Sequence, residues 1–260
     1  MSFADATGNP GEITFNLDPA VGYGSVDEFK NDIAAKKNEG KAVVISIGGQ
    51  NGFIFINSDQ AASNFAESAF RLMQEYGFNG VDIDLEAGIS SQYLSQALRQ
   101  LSQRAGGGLV ITMAPQTIDM QNANTEYFRT ALNIKDILTV VNMQYYNSGT
   151  MLGCDGQVYA QGTIDFLTAL ACIQLENGLD PSQVGIGVPA SPQAAGGGYV
   201  DPNVVNNALD CLASGNNCGN FRPPRTYPGI RGAMTWSTNW DASVGNSWSN
   251  TVGPKVHSLP

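Results

Sequence analysis

Between Asn79 and Glu86 the chain reads Asn-Gly-Val-Asp-Ile-Asp-Leu-Glu, so aliphatic Val81, Ile83 and Leu85 alternate with acidic Asp82, Asp84 and Glu86. A period of two belongs to a β-strand, here with one aliphatic face and one face bearing three carboxylates, successive ones roughly 6–7 Å apart. The aliphatic face suits packing against a helix. Like charges on a strand interior cost heavily unless they share protons or hold a cation. Strand interiors seldom carry any charge, so three structural acids satisfied by backbone donors are a poor explanation. The strand reads as a site of chemistry.

Around it, short apolar strands alternate with amphipathic helical stretches, the pattern of a βα-repeat with parallel strands. The spacing predicts strands at 42–47, 80–86, 109–113, 137–145, 184–188 and 230–236. It predicts helices at 58–76, 92–104, 125–132, 163–175, 202–212 and 244–256. No composition shift marks a linker, so residues 1–260 are expected to form a single domain. Residues with chemical potential cluster at the carboxyl ends of successive strands: Gly48-Gly49, Glu86, Pro115-Gln116, Gln144 to Asn147, and Trp236. A (β/α)8 barrel gathers its active site there, whereas an open doubly wound sheet concentrates chemistry at one crevice. The expected fold class is therefore α/β, a (β/α)8 TIM barrel. Ser2-Phe3-Ala4-Asp5 reads as the end of a strand with no βα unit before it. The count then gives about seven strands against a barrel's eight, an N-terminally incomplete barrel.

A net charge of −10 argues against nucleic acid or an anionic membrane as partner, since both select Lys/Arg surfaces. No apolar run approaches the ~20 residues of a membrane span. Cys154, Cys172, Cys211 and Cys218 lack metal-ligand spacing, and His257 is the one histidine, so no metal or cofactor is expected. Cys211 and Cys218 bracket a turn suited to a short disulfide loop. An even cysteine count and a surface rich in Asn, Ser and Gly favour a secreted, extracellular protein, although residues 1–5 lack the pattern of a signal peptide.

Four segments together resemble the glycoside hydrolase family 18 chitinases of the single-domain bacterial and plant type. Asn79 to Glu86 matches the family's Asp-Gly-x-Asp-x-Asp-x-Glu except at its first position, and Ser46-Ile47-Gly48-Gly49 matches Ser-x-Gly-Gly. Gln144-Tyr145-Tyr146-Asn147 and Trp236 match the sixth- and eighth-strand patterns, in the right order along almost the whole chain. The resemblance implies a monomeric enzyme acting on chitin or chitooligosaccharides without cofactor. In this family the substrate's 2-acetamido group supplies the nucleophile.

Glu86 is then the general acid/base, and neighbouring negative charge with limited solvation favours its holding a proton until substrate arrives. Asp84 would bond the acetamido N–H, Asp82 would share a proton with Asp84, and Tyr146 would donate to the acetamido carbonyl. Trp236 would stack on a sugar ring. Gln144, Asn147, Ser46, Gly48, Met113 and Gln116 are the further candidates for lining the substrate site, with Ser46 placed to bond one of the aspartates. Asn79, in the entry turn, replaces an aspartate with little expected effect on chemistry. Residues 191–229 hold no inserted α+β domain, which predicts an open cleft and internal cleavage of a polymer. The alternatives are a non-catalytic chitin-binding lectin on the same scaffold and an endo-β-N-acetylglucosaminidase acting on N-glycans. A metal-dependent enzyme is a third, disfavoured by the absence of nearby histidine.

Overall fold

The structure, a computed structural model, describes residues 1–259. The chain divides into two compact units, residues 1–113 with 129–139, and residues 114–128 with the chain from 140 onward. The first unit carries β1 (Ser2–Ala6), β2 (Ile13–Thr14), α1 (Val26–Asn38), β3 (Val44–Gly48), α2 (Asp59–Tyr76), β4 (Gly80–Asp84), α3 (Ser91–Ala105) and β5 (Val110–Met113). Its strands lie in the order β5-β4-β3-β1-β2, parallel except for the short antiparallel β2.

Helix α2 shows how the sequence sets these elements. Ser58 caps it, its side chain accepting from the Ala61 N–H, and Gly77 ends it at φ +78° with its N–H on the Met73 carbonyl. Between them Ala62, Phe65, Ala66, Ala69, Leu72, Met73 and Tyr76 recur at helical spacing and are buried. Tyr76 ends the stripe in an aromatic cluster with Phe15, Phe29 and Phe78, its ring 5.2 Å from Phe15 edge-on and 5.6 Å from Phe78 stacked. Val81 and Ile83 of β4, Ile45 and Ile47 of β3, and Ile111 and Met113 of β5 are fully buried. At Gly80 a Cβ would lie 1.8 Å from the Val110 carbonyl oxygen, so only glycine lets β4 and β5 approach this closely.

Helix α4 (Glu126–Asn133) follows, and the second unit continues with β6 (Val140–Gln144), the β7–β8 hairpin (Thr150–Leu152, Val158–Ala160), α5 (Ile164–Glu176) and β9 (Val184–Pro189). It closes with α6 (Pro202–Ser214), β10 (Gly232–Trp236), α7 (Thr238–Ser243) and α8 (Ser247–His257). β6, β9 and β10 run parallel in that order. Helix α5 is buried on every side from Phe166 to Leu175, as befits its nearly continuous apolar run. Two disulfides are present, Cys154–Cys172 tying the segment after β7 to α5, and Cys211–Cys218 closing the short loop expected from spacing.

The helix expected over 244–256 is found as α8, and the short α7 before it went unexpected, the two separated where Gly245 and Asn246 both turn left-handed at φ +71° and +58°. The buried Asp241 carboxylate then accepts the Trp248 and Ser249 N–H groups at 2.8 and 3.1 Å, satisfying donors that a continuous helix would have bonded internally. Residues 191–229 contain α6 and no strand among the described residues, in keeping with the expected lack of an inserted domain.

Candidate active site

Strand β4 delivers its acids as the period-two reading requires. Asp82 is half-buried, Asp84 buried, and Glu86 half-exposed two residues beyond the strand's end. In the parallel register Asp82 stands level with Ser46 of β3 and Thr112 of β5. Each neighbour hydroxyl donates to a different oxygen of Asp82: Ser46 Oγ to Oδ2 at 2.6 Å, and Thr112 Oγ1 to Oδ1 at 2.5 Å. Distances this short are those of charge-assisted bonds to a carboxylate. Asp82 is therefore held from both sides, and Ser46 bonds an aspartate as expected.

The strand end is shaped by backbone contacts. Gly49 donates its N–H to the Asp84 carbonyl at 2.7 Å. Gly48 sits at φ +108°, where a Cβ would lie 2.4 Å from that same carbonyl oxygen. A left-handed backbone and zero clearance both demand glycine here. Gly48 thus serves as a point of close approach to β4.

One expectation needs revising. Met113 is fully buried and stands level with Ile83, on the aliphatic side of the sheet, so it does not line the acid face. Thr112, one residue earlier, holds that place and was missed. A lone polar residue in the run Leu-Val-Ile-Thr-Met was the available signal.

In the second unit, β6 ends at Gln144, whose Nε2 donates to the Ala114 carbonyl at 2.7 Å and whose backbone pairs with Gln116 as an isolated bridge. Tyr145 points into the core, where Gln174 donates to its hydroxyl at 3.2 Å, and burial pushes its phenol well above the usual tyrosine range. Tyr146 is half-buried, as is Trp236 at the end of β10. Asn147 adopts φ +52° and exchanges two hydrogen bonds with Gly197, N to O at 3.0 Å and Gly197 N to Oδ1 at 3.2 Å. Gly198 packs so closely that a Cβ would lie 2.6 Å from the Tyr146 Cα. Ser148 completes the frame: its Oγ donates to the Tyr146 carbonyl at 2.7 Å and accepts from Thr117 Oγ1 at 2.5 Å. Tyr146 thus hangs on a backbone fixed from several directions. Sequence reading missed Thr117, Ser148 and the Gly196–Gly198 contacts, which lie far apart along the chain. Among the described residues no group of three or more His, Cys, Asp or Glu side chains is placed to hold a metal ion.

Comparison with known proteins follows the same lines. Residues 1–252 match Glycosyl hydrolases family 18. The chain is 36% identical over 298 residues to Chitinase D of Niallia circulans, a match covering 100% of this chain and 56% of that protein, so it spans little more than half of that relative. Among solved structures, the Streptomyces coelicolor protein provisionally named chitinase A is 66% identical with a TM-score of 0.98, covering 99% of this chain and 88% of that one. A family GH18 chitinase from Chromobacterium violaceum is 34% identical with a TM-score of 0.92, covering 99% and 75%. These likenesses bear out the α/β fold of (β/α)8 type expected from the sequence. By its family match, its acidic strand and its solved relatives, the chain belongs to glycosyl hydrolase family 18.

Proposed function

We propose that this chain is an endo-acting chitinase that hydrolyses β-1,4 linkages between N-acetylglucosamine units with retention of configuration. The observation that carries the reading is the division of labour along β4. Asp82 has both oxygens engaged by Ser46 and Thr112, while Asp84 and Glu86 follow it toward the strand's carboxyl end. A single proton donor suffices when the substrate brings its own nucleophile. Glu86 gives its proton to the glycosidic oxygen as the acetamido carbonyl oxygen attacks C1 from the other face, releasing the leaving sugar and forming a cyclic oxazolinium ion. The Glu86 carboxylate then takes a proton from water, which attacks C1, reopens the ring and restores the acid. Asp84 bonds the acetamido N–H and offsets the positive charge of the intermediate, with Asp82 two residues before it on the same strand. Tyr146 donates to the acetamido oxygen, and Trp236 offers its ring to the sugar's C–H face.

Internal cleavage is supported by the plain 191–229 segment, which adds no strand that would roof a cleft. Two disulfides support an oxidising, extracellular setting. One family match running through both units supports treating them as one catalytic domain.

The test is hydrolysis of chitin hexamer by this chain and by Glu86→Gln, with products followed by mass. Cleavage by the parent, lost by about 10³-fold or more in the variant while hexamer binding persists, is the expected result. A variant that cuts at a comparable rate sinks the assignment of Glu86. Products dominated from the start by disaccharide sink the endo assignment.

A further inference from the structure

Gln161 stands between β8 and α5, where the hairpin passes into the helix. Its base is firm. Thr163 caps α5 by accepting the Phe166 N–H at 3.2 Å, and donates its own hydroxyl to the Ala160 carbonyl at 2.8 Å. The Cys154–Cys172 bond ties the hairpin's turn to the same helix. From this base the half-buried Gln161 grips the turn that follows Tyr146. Its Oε1 accepts the Ser148 N–H at 2.7 Å, and its own N–H donates to the Gly149 carbonyl at 2.8 Å. We propose that Gln161 is a positioning residue for the Tyr146 hydroxyl, acting through Ser148 on one side and the Gly197 loop on the other. This rests on the chitinase reading, with Tyr146 as donor to the acetamido oxygen.

Both routes lie within the second unit. Along the first, Ser148, its N–H held by Gln161, donates Oγ to the Tyr146 carbonyl at 2.7 Å. Along the second, the Gln161 amide nitrogen faces Gly197, where a Cβ would lie 2.5 Å from it. Gly197 exchanges hydrogen bonds with Asn147 at 3.0 and 3.2 Å, and Gly198 abuts the Tyr146 Cα. Asn147 sits at φ +52°, an uphill conformation for a residue with a Cβ, and so gains from restraint. On the near side Tyr145 is buried, with its N–H on the Gly187 carbonyl at 2.9 Å. Tyr146 thus departs from a backbone pinned before and after it, and Gln161 supplies much of the second pin.

Closing the hairpin does not account for a glutamine here. The backbone bond from residue 161 to the Gly149 carbonyl closes its base, and any residue except proline supplies that donor. The side chain adds an acceptor long enough to reach the Ser148 N–H across the turn, leaving its nitrogen against Gly197. What such a bond governs is placement. Attack on an anomeric carbon tolerates little error, and a displacement of about 1 Å in a positioning group costs about 10²-fold in rate. A restraint shared with Thr117, which donates to Ser148 Oγ, should account for part of that.

The test is steady-state hydrolysis of chitin hexamer, run below the melting temperature of every variant. Gln161→Met keeps length and bulk but removes the acceptor, Gln161→Asn holds its amide one methylene short, and Gln161→Glu keeps the acceptor in place. The first two should lower kcat about tenfold while KM moves less than about threefold, and Gln161→Glu should recover most of the rate. In a Tyr146→Phe background no hydroxyl remains to be placed, so Gln161→Met should cost no more than about a further twofold. A purely structural role would instead carry the same loss into both backgrounds. Parent rates in Gln161→Met and Gln161→Asn, a loss confined to KM, or an undiminished loss in the Tyr146→Phe background each overturn the inference and leave the chitinase reading standing. A parent chain that does not cut hexamer refutes that reading, and a Tyr146→Phe chain as fast as the parent refutes the role of Tyr146. The inference falls with either.

Discussion

The clamp on Asp82 makes a quantitative prediction. Thr112→Val keeps shape and β-branching but removes the hydroxyl that reaches Asp82 Oδ1 at 2.5 Å. Hydrogen bonds to charged groups contribute about 1.5–3 kcal/mol, and a half-buried carboxylate oxygen stripped of its donor loses most of that. For a chain of 260 residues, unfolding entropy of about 2.1 cal/mol/K per residue makes each kcal/mol worth ~2 °C in Tm. The expected fall is therefore about 3–6 °C in a thermal melt followed by circular dichroism. Ser46→Ala, which frees Oδ2, should act similarly, and the double variant should lose more than the sum, because the carboxylate then has neither donor. The decisive control is the same Thr112→Val change in an Asp82→Asn background. There the lost bond is between neutral groups and should cost only about 1 kcal/mol. A fall of under about 1 °C in the parent, or an equal fall in both backgrounds, would show that the hydroxyl acts through packing alone.

Two further outcomes follow from the second unit. The disulfides close segments of 18 and 7 residues, so replacing Cys154/Cys172 by alanines should cost ~3 kcal/mol and Cys211/Cys218 ~2.5 kcal/mol, the larger loss belonging to the longer loop; urea denaturation of the two variants gives the order, and a reversed order refutes it. Burial raises the Tyr145 phenol above its usual range, and burial together with the Glu176 carboxylate does the same for Tyr227. Both ionise near pH 10 only in the unfolded chain. Below that pH neither state loses the proton and the stability is intact. Above it the unfolded state is favoured, so stability falls as pH rises. Phenolate absorbance from these two residues should accompany alkaline unfolding, and titration ahead of it would count against their burial.

Elements with strong local signatures were legible in the sequence. Helix α2, with Ser58 before it, Gly77 after it and a wide apolar stripe between, is found within a residue of its expected bounds. The acids of β4 announce themselves because charge and period coincide. Helix α1 went unnoticed because it buries only Phe29 and Ile33, too thin a stripe to stand out. The β7–β8 hairpin is largely exposed and so shows no clean alternation. Met113 was placed on the wrong side because facing depends on register: only pairing with β4 shows that Met113 follows Ile83 and Thr112 follows Asp82. The same non-locality hid Ser148 and Thr117, whose bond joins positions 31 residues apart.

The Asp82 clamp also bears on what a lineage or an engineer can move. The eight residues from Asn79 to Glu86 look like a portable cassette, yet the aspartate at their centre is fastened by side chains from two other strands. Grafted into a foreign sheet without Ser46 and Thr112 in register, the cassette would bring an acid and leave behind its restraints. The smallest inheritable unit of this site is the three-strand span from Val44 to Met113, together with the Gly48-Gly49 turn that admits β4 so closely. Recombination that cuts inside that span should yield folded but disarmed chains, whereas cuts outside it should leave the acidic strand as it stands.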